Sequence, residues 1–158
     1  MGTLLGTSPA MKVLRTELAR AAHAEANVLV IGETGSGKEL VARAIHEQSG
    51  RWNRCFVAVD CGTLTDELAG SELFGYRRGA FTGANADHHG LFTSADRGTL
   101  FLDELGNLSR RVQGMLLRTL QEQCIRRVGD HRDESIDVRV LSATNRTLEP
   151  DFRQDLLY

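Results

Sequence analysis

The sequence predicts an α/β fold: a mostly parallel sheet with helices on both faces. Three observations carry this expectation. Short apolar runs alternate with segments of helical period, a glycine-rich loop joins the first run to a helix, and a later run ends in two adjacent carboxylates. With 158 residues, 41% of them hydrophobic and 25% charged, the chain can bury one sizeable core.

In chain order, Ser8 and Pro9 form a helix start, a capping hydroxyl followed by proline in the first turn. Met11, Leu14, Leu18, Ala21 and Ala22 then share one face of a helix expected to end near Ala26. The run 27–31 (NVLVI) is a short apolar strand that stops at Gly32 and gives way to a helix from Lys38 to about Gln48. Further strands are expected at 55–60 (CFVAVD), 99–103 (TLFLD) and 136–143 (IDVRVLSA), with helices between them. The clearest helix is 109–123, where Val112, Met115, Leu116, Thr119 and Leu120 recur at three- and four-residue spacing, with Arg110, Arg111 and Arg118 on the solvated side. Residues 75–90, glycine-rich, and 129–135, polar and charged, follow neither period. Long loops inside a compact domain are often functional.

Composition excludes several classes. A net charge of −2, from 19 basic and 21 acidic residues, gives no broad cationic face, so any DNA contact is expected from a separate domain. Cys55, Cys61 and Cys124 form no CxxC pair and lack a histidine at zinc-ligand spacing, which fits core packing in a reducing compartment. Neither a basic, apolar leader nor a membrane-length apolar run occurs, so a cytoplasmic protein with no membrane contact is expected.

The chemistry-bearing residues fall at the carboxyl ends of strands, where parallel sheets bind ligands. In the loop Gly32, Glu33, Thr34, Gly35, Ser36, Gly37, Lys38, Glu39, the glycines let successive backbone N–H groups face phosphate oxygens while the following helix presents its positive end. Lys38 meets the β- and γ-phosphates; where the general pattern has a magnesium-binding hydroxyl, this chain has Glu39. Asp103 can hold magnesium through water, and Glu104 can orient and polarise an attacking water, so ATP and Mg²⁺ are the expected cofactors. An acidic pair at a strand end is by itself more often a solvated loop, and it gains meaning from the glycine loop. In the unassigned stretch 75–90, the segment Gly79, Ala80, Phe81, Thr82, Gly83, Ala84 places an aromatic ring and a hydroxyl at a flexible tip. Residue chemistry alone leaves open whether that tip meets a partner or is an ordinary loop.

The segments GETGSGKE (32–39), SELFGYRRGAFTGA (71–84), ADRGTLFLDE (95–104), RRVG (126–129), DVRVLSATN (137–145) and FRQDLLY (152–158) occur in an order that resembles the central domain of bacterial sigma-54-dependent transcriptional activators. These are AAA+ ATPases, and a glutamate at the position of Glu39 is usual among them. The resemblance implies a three-layer phosphate-loop core and a hexameric homo-oligomer. It also implies a GAFTGA loop that contacts sigma-54 and, through the ATP cycle, remodels the closed promoter complex of RNA polymerase. By position, it makes nucleotide-binding residues of the loop and of the run Ala95, Asp96, Arg97, Gly98, Thr99, Leu100, Phe101, Leu102 leading to Asp103 and Glu104. It makes Asn145 the sensor of the γ-phosphate and Arg153 the first of two arginines that reach a neighbouring subunit's nucleotide.

Where the family's second strand commonly ends in Asn, this chain has Asp60. An amide can donate to the catalytic carboxylate; an ionised Asp cannot, so a switch between Asp60 and Glu104 would need a proton, a water or a cation. His88 and His89 are adjacent and point different ways on helix or strand, so they are expected to be surface histidines rather than a joint metal site. The family's fifth strand, helical lid and second arginine have no counterpart in 1–158. A partial AAA+ domain, the α/β subdomain, is therefore expected; if nothing replaces that strand, the 27–31 strand keeps an unpaired edge, and abnormal association or marginal stability, weak nucleotide affinity and little or no hydrolysis are expected. Two other classes share parts of the pattern. A AAA+ remodeller with another client would have no reason to carry GAFTGA, and a non-enzymatic nucleotide-responsive module is left open by Asp60.

Overall fold

The computed structural model describes residues 6–145. Helix α1, Pro9–His23, begins as its sequence dictates, with Ser8 Oγ accepting the Met11 N–H at 3.3 Å and proline in the first turn. It ends before Ala26. There the guanidinium of Arg139, only 2% exposed, donates to the carbonyls of Ala21, Ala22, Ala24 and Ala26, taking up the acceptors that a helix end leaves open.

Strand β1, Val28–Ile31, leads through the glycine loop into α2, Lys38–Glu47; β2 follows at Phe56–Asp60 and α3 at Asp66–Phe74. The stretch 75–90, left without period by the sequence, is a hairpin in which β3, Gly75–Tyr76, pairs antiparallel with β4, His88–His89. A short α4, Leu91–Ser94, precedes β5, Thr99–Asp103, and then α5, Arg110–Glu122, whose first turn is capped by Ser109. The polar stretch 129–135 closes a second hairpin between β6, Cys124–Ile125, and β7, Glu134–Ser135. The last described strand is β8, Arg139–Thr144. It starts later than position 136 because Asp137 is drawn out of the ladder: its N–H donates to Asp96 Oδ1 at 2.9 Å, and its carbonyl accepts from Arg97 N and Arg51 Nη1.

Four strands form one parallel sheet in the order β1-β8-β5-β2. The expected mostly parallel sheet is therefore present. Alternation along each strand sorts the core into two layers. Leu100, Leu102 and Val140 pack with α3 and α5 residues such as Leu73, Val112 and Leu116. Phe101, Leu141 and Ala143 pack on the other face with Leu18 and Ala22 of α1 and Val41 and Ile45 of α2. The register sets Ile31 beside Thr144 and Asp60 beside Asp103, so all four carboxyl ends meet at one edge. Among the described residues β1 pairs on one side only, and Ile31 is 67% exposed.

At the opposite end, buried His46 of α2 places Nδ1 2.9 Å from Thr99 Oγ1 and packs its ring on Phe56. Desolvation lowers its pKa from the ordinary value near 6.5, with the Arg139 and Arg43 charges acting the same way and the Arg54 backbone bond and Glu47 opposing. The folded state therefore favours the neutral ring. As pH falls through the unfolded value, the unfolded chain takes up the proton first and stability drops, levelling off below the lowered folded value. The melting temperature is expected to fall by a few degrees between about pH 7.5 and 5.5, and His46→Gln should remove that slope. Equal slopes in both proteins would refute the assignment.

Candidate functional site

The glycine loop owes its shape to left-handed backbone at Gly35 (φ 79°) and Gly37 (φ 82°), a region that side chains with a Cβ enter at a cost. Gly32 N–H is tied to Thr144 O at 3.1 Å, and Ser36 N–H turns back to Glu33 O at 3.1 Å. Gly37 caps α2 without a side chain, whereas α1 and α5 are capped by serines. The first-turn N–H groups of α2, which a helix cannot satisfy internally, are thus left for an anion. Lys38 is 6% exposed, and its Nζ donates to Gly32 O and Glu33 O at 3.2 Å each, so its charge is held under the loop. These features fit the phosphates of a nucleotide.

The structure brings Lys38, Glu104, Thr34 and Asn145 together from three strand ends. Glu104 Oε1 lies 3.3 Å from Lys38 Nζ, while Oε2 accepts from Asn145 N at 3.4 Å. Asn145 Nδ2 donates to Thr34 Oγ1 at 2.9 Å, a direct link between the loop and the end of β8. Glu104 itself has φ 52° and ψ 49°, an uncommon conformation for a residue with a side chain and one that clusters at functional positions. Asp103 Oδ1 accepts the Glu104 N–H at 3.0 Å. Glu39 is turned away to Arg43, with contacts of 3.0 and 2.8 Å, which leaves the Asp103 and Glu104 carboxylates at the sheet edge beside the loop.

Asp60 does not touch Glu104. Its Oδ1 accepts the Gly62 N–H at 2.8 Å, capping a 3-10 turn, and no hydrogen bond joins the two carboxylates among the described residues. The negative potential at these strand ends registers on the neighbouring thiol. Burial, then Asp60, Asp103 and Glu104, push the Cys61 pKa up to about 12, which keeps it protonated and inert. The segment Ala95–Leu102 runs up to and along β5, and at about 3.3 Å per residue Thr99 sits on the order of 13 Å from Asp103, whereas Leu102 adjoins it. Arg153 lies outside the described residues.

Ala80 to Ala84 form the tip of the β3–β4 hairpin. Turn bonds link Gly79 N to Ala84 O at 2.8 Å and Ala84 N to Phe81 O at 3.0 Å, while Gly79 and Gly83 take positive φ. Phe81 is 45% exposed and meets the Tyr76 ring edge-on with centroids 4.9 Å apart; Tyr76 in turn stacks on His88. His88 is half-buried and His89 exposed. His89 Nδ1 lies 3.1 Å from Arg127 Nη2, so it faces a guanidinium rather than its histidine neighbour. Neither the Thr34–Asn145 bond nor the Arg139 contacts have a local sequence signal, because the partners stand 111 and 113 to 118 residues apart with no period linking them.

The family described as the sigma-54 interaction domain matches residues 4–158. The response regulator protein PilR of Pseudomonas aeruginosa is 49% identical over 160 residues, covering 98% of this chain and 36% of that protein. The sigma54-dependent transcriptional regulator SfnR of Pseudomonas fluorescens is 52% identical over 155 residues, covering 95% of this chain and 42% of that protein. The chain thus spans about 36% to 42% of the length of these relatives. Among solved structures, NtrX from Brucella abortus in complex with ATP superposes with a TM-score of 0.89 at 39% identity, covering 98% of this chain and 34% of that one. The P-loop NTPase domain of an E. coli sigma-54 activator, at 20% identity and a TM-score of 0.56, shares the fold.

Proposed function

This chain belongs to the sigma-54 interaction domain family, and we propose that in the full-length protein it hydrolyses ATP to convert the closed promoter complex of sigma-54 RNA polymerase into the open one. One observation supports this above others: a phosphate loop with its carboxylate at the sheet edge and an exposed Phe81–Thr82 tip on a separate hairpin are built into one small domain. The first suits a nucleotide and the second a protein.

In this reading the α2 N-terminus and Lys38 hold the phosphates, and Asp103 holds magnesium, whose charge offsets that of the phosphates. Glu104 positions the water and accepts its proton, and Asn145 reports the γ-phosphate to Thr34 and the loop. Arg153 is assigned to the nucleotide of a neighbouring subunit in a hexameric ring, where a guanidinium offsets transition-state charge. DNA contact belongs to a separate domain, and the protein works in the bacterial cytoplasm.

The test is open-complex formation by the full-length protein with sigma-54 polymerase and ATP, compared with polymerase carrying a different sigma factor. Opening with both, or with neither while ATP is hydrolysed, would point to another client. Lys38→Ala should weaken ATP affinity and turnover by at least about 100-fold, read by nucleotide titration and steady-state hydrolysis, because it removes a buried cation held under the loop.

A further inference from the structure

Two hairpins leave the sheet, and two arginines tie them together: Arg127 through its contact with His89, and Arg77 through three carboxylates. Arg77, the residue after β3, donates from Nε to Asp130 Oδ2 at 2.6 Å and from Nη1 to Asp87 Oδ2 at 2.7 Å, and its Nη2 stands 3.6 Å from Glu134 Oε1. The three carboxylates come from three places: the return arm of the GAFTGA hairpin, the turn after Val128, and β7. Each is itself anchored. Asp87 Oδ1 takes the Arg78 N–H at 2.8 Å, closing the neck of the loop; Asp130 Oδ1 takes the N–H groups of His131 and Arg132; Glu134 also binds buried Arg127 at 2.9 Å.

The backbones run together as well. Arg77 N donates to Val128 O at 3.0 Å, and Val128 N to Gly75 O at 2.9 Å. Gly129 approaches so closely that a Cβ there would stand 2.7 Å from the Ala80 Cβ, inside the GAFTGA loop.

We propose that Arg77 is a positioning residue that locks the GAFTGA loop to the β6–β7 hairpin, so that the two move as one body and present Phe81 and Thr82 in a single pose. An isolated exposed ion pair contributes little, because two long side chains are immobilised for one solvated contact. Here one planar guanidinium is fixed once and serves three carboxylates. Asp130 responds accordingly: its pKa is held down to about 2, chiefly by Arg77. Such a lock is open to salt and insensitive to pH above the carboxylate range.

The lock itself stands on these contacts; only its effect on the partner rests on the function proposed above. The test uses the full-length protein and the variants Arg77→Gln, Arg77→Lys, Asp130→Asn and the double variant Arg77→Gln/Asp130→Asn. Amide hydrogen exchange at 79–85 and at 128–134 is expected to speed up together by about tenfold in Arg77→Gln, and less in Arg77→Lys, whose ammonium serves fewer carboxylates. The double variant should be no worse than Arg77→Gln alone, since both remove the same interaction. ATP turnover should stay within about twofold while sigma-54 engagement falls by about tenfold, because among the described residues Arg77 pairs with Asp87, Asp130 and Glu134 and not with the Lys38–Glu104 cluster. Unchanged exchange in either segment, or additive losses in the double variant, overturns the lock. Coupled exchange changes in a protein that never engages sigma-54 uphold the lock and reject the proposed client. If Arg77→Gln fails to fold, Arg77→Lys and Asp130→Asn carry the same comparison.

Discussion

Glu104→Gln is expected to lower ATP turnover by about 10²- to 10⁴-fold, the usual contribution of a positioned general base, while ATP still binds. Glutamine keeps the shape and one acceptor oxygen, so the main losses are the proton-accepting charge and the ion pair to Lys38 at 3.3 Å. That pair is a competitor for the phosphates. Lys38 in Glu104→Gln meets the nucleotide without a neighbouring carboxylate, so affinity should stay equal or rise. The fold should tolerate the change, because Glu104 is the hinge residue of a short 3-10 turn outside the two packed layers, and neither apolar cluster contains it. Single-turnover hydrolysis and equilibrium binding measured on the full-length protein separate the two effects. Turnover within about threefold of wild type would remove Glu104 from the chemistry. A wild-type protein that binds ATP and never hydrolyses it would favour the nucleotide-responsive module instead. Asp60 is the residue to examine in that event, since Asp60→Asn keeps the Oδ1 acceptor that caps Gly62 and adds the amide donor that the family pattern supplies.

The elements that could be read from sequence are those whose signal is local. Ser8-Pro9, the glycines at 32, 35 and 37, and the three- and four-residue spacing of Val112 and Leu116 each reflect interactions within a turn or two of chain. The carboxylates at 103 and 104 were legible because a strand end and a ligand site coincide in parallel sheets. Long-range contacts were not legible. Strand β8 begins at Arg139 because that side chain is spent on α1, and Asp137 is spent on Asp96, Arg97 and Arg51. The stretches 75–90 and 129–135 carry no period because their strands, β3, β4 and β7, are only two residues long, and they are ordered by backbone bonds and by arginine and carboxylate pairing between the hairpins. Motif order along the chain groups residues 95–102 with Asp103, and the direction of β5 sets how far each stands from it.

Thr82→Ala should leave hydrolysis intact and abolish promoter opening. Thr82 lies at the exposed tip between Phe81 and Gly83, and the tip's own turn is held by backbone bonds from Gly79 and Ala84. Removing the hydroxyl therefore costs the loop no internal bond among those that define it, and the melting temperature should barely move. What it removes is a donor and acceptor offered to a partner. If Thr82 is one of the few residues that dominate the contact, its loss costs about 2 kcal/mol or more, roughly a 30-fold loss of engagement. The tip is small, so few neighbouring contacts can compensate. Phe81 bounds the comparison. Its ring is already partly committed to Tyr76 at 4.9 Å, so Phe81→Ala loses both an internal contact and an external one and should loosen the loop as well as weaken engagement. Thr82→Ala should then differ from Phe81→Ala in amide exchange at 79–85, which stays at the wild-type rate only in the threonine variant. Promoter opening by Thr82→Ala at wild-type rates, with normal hydrolysis, would mean that the tip meets some other client or none, even though the phosphate site works as proposed.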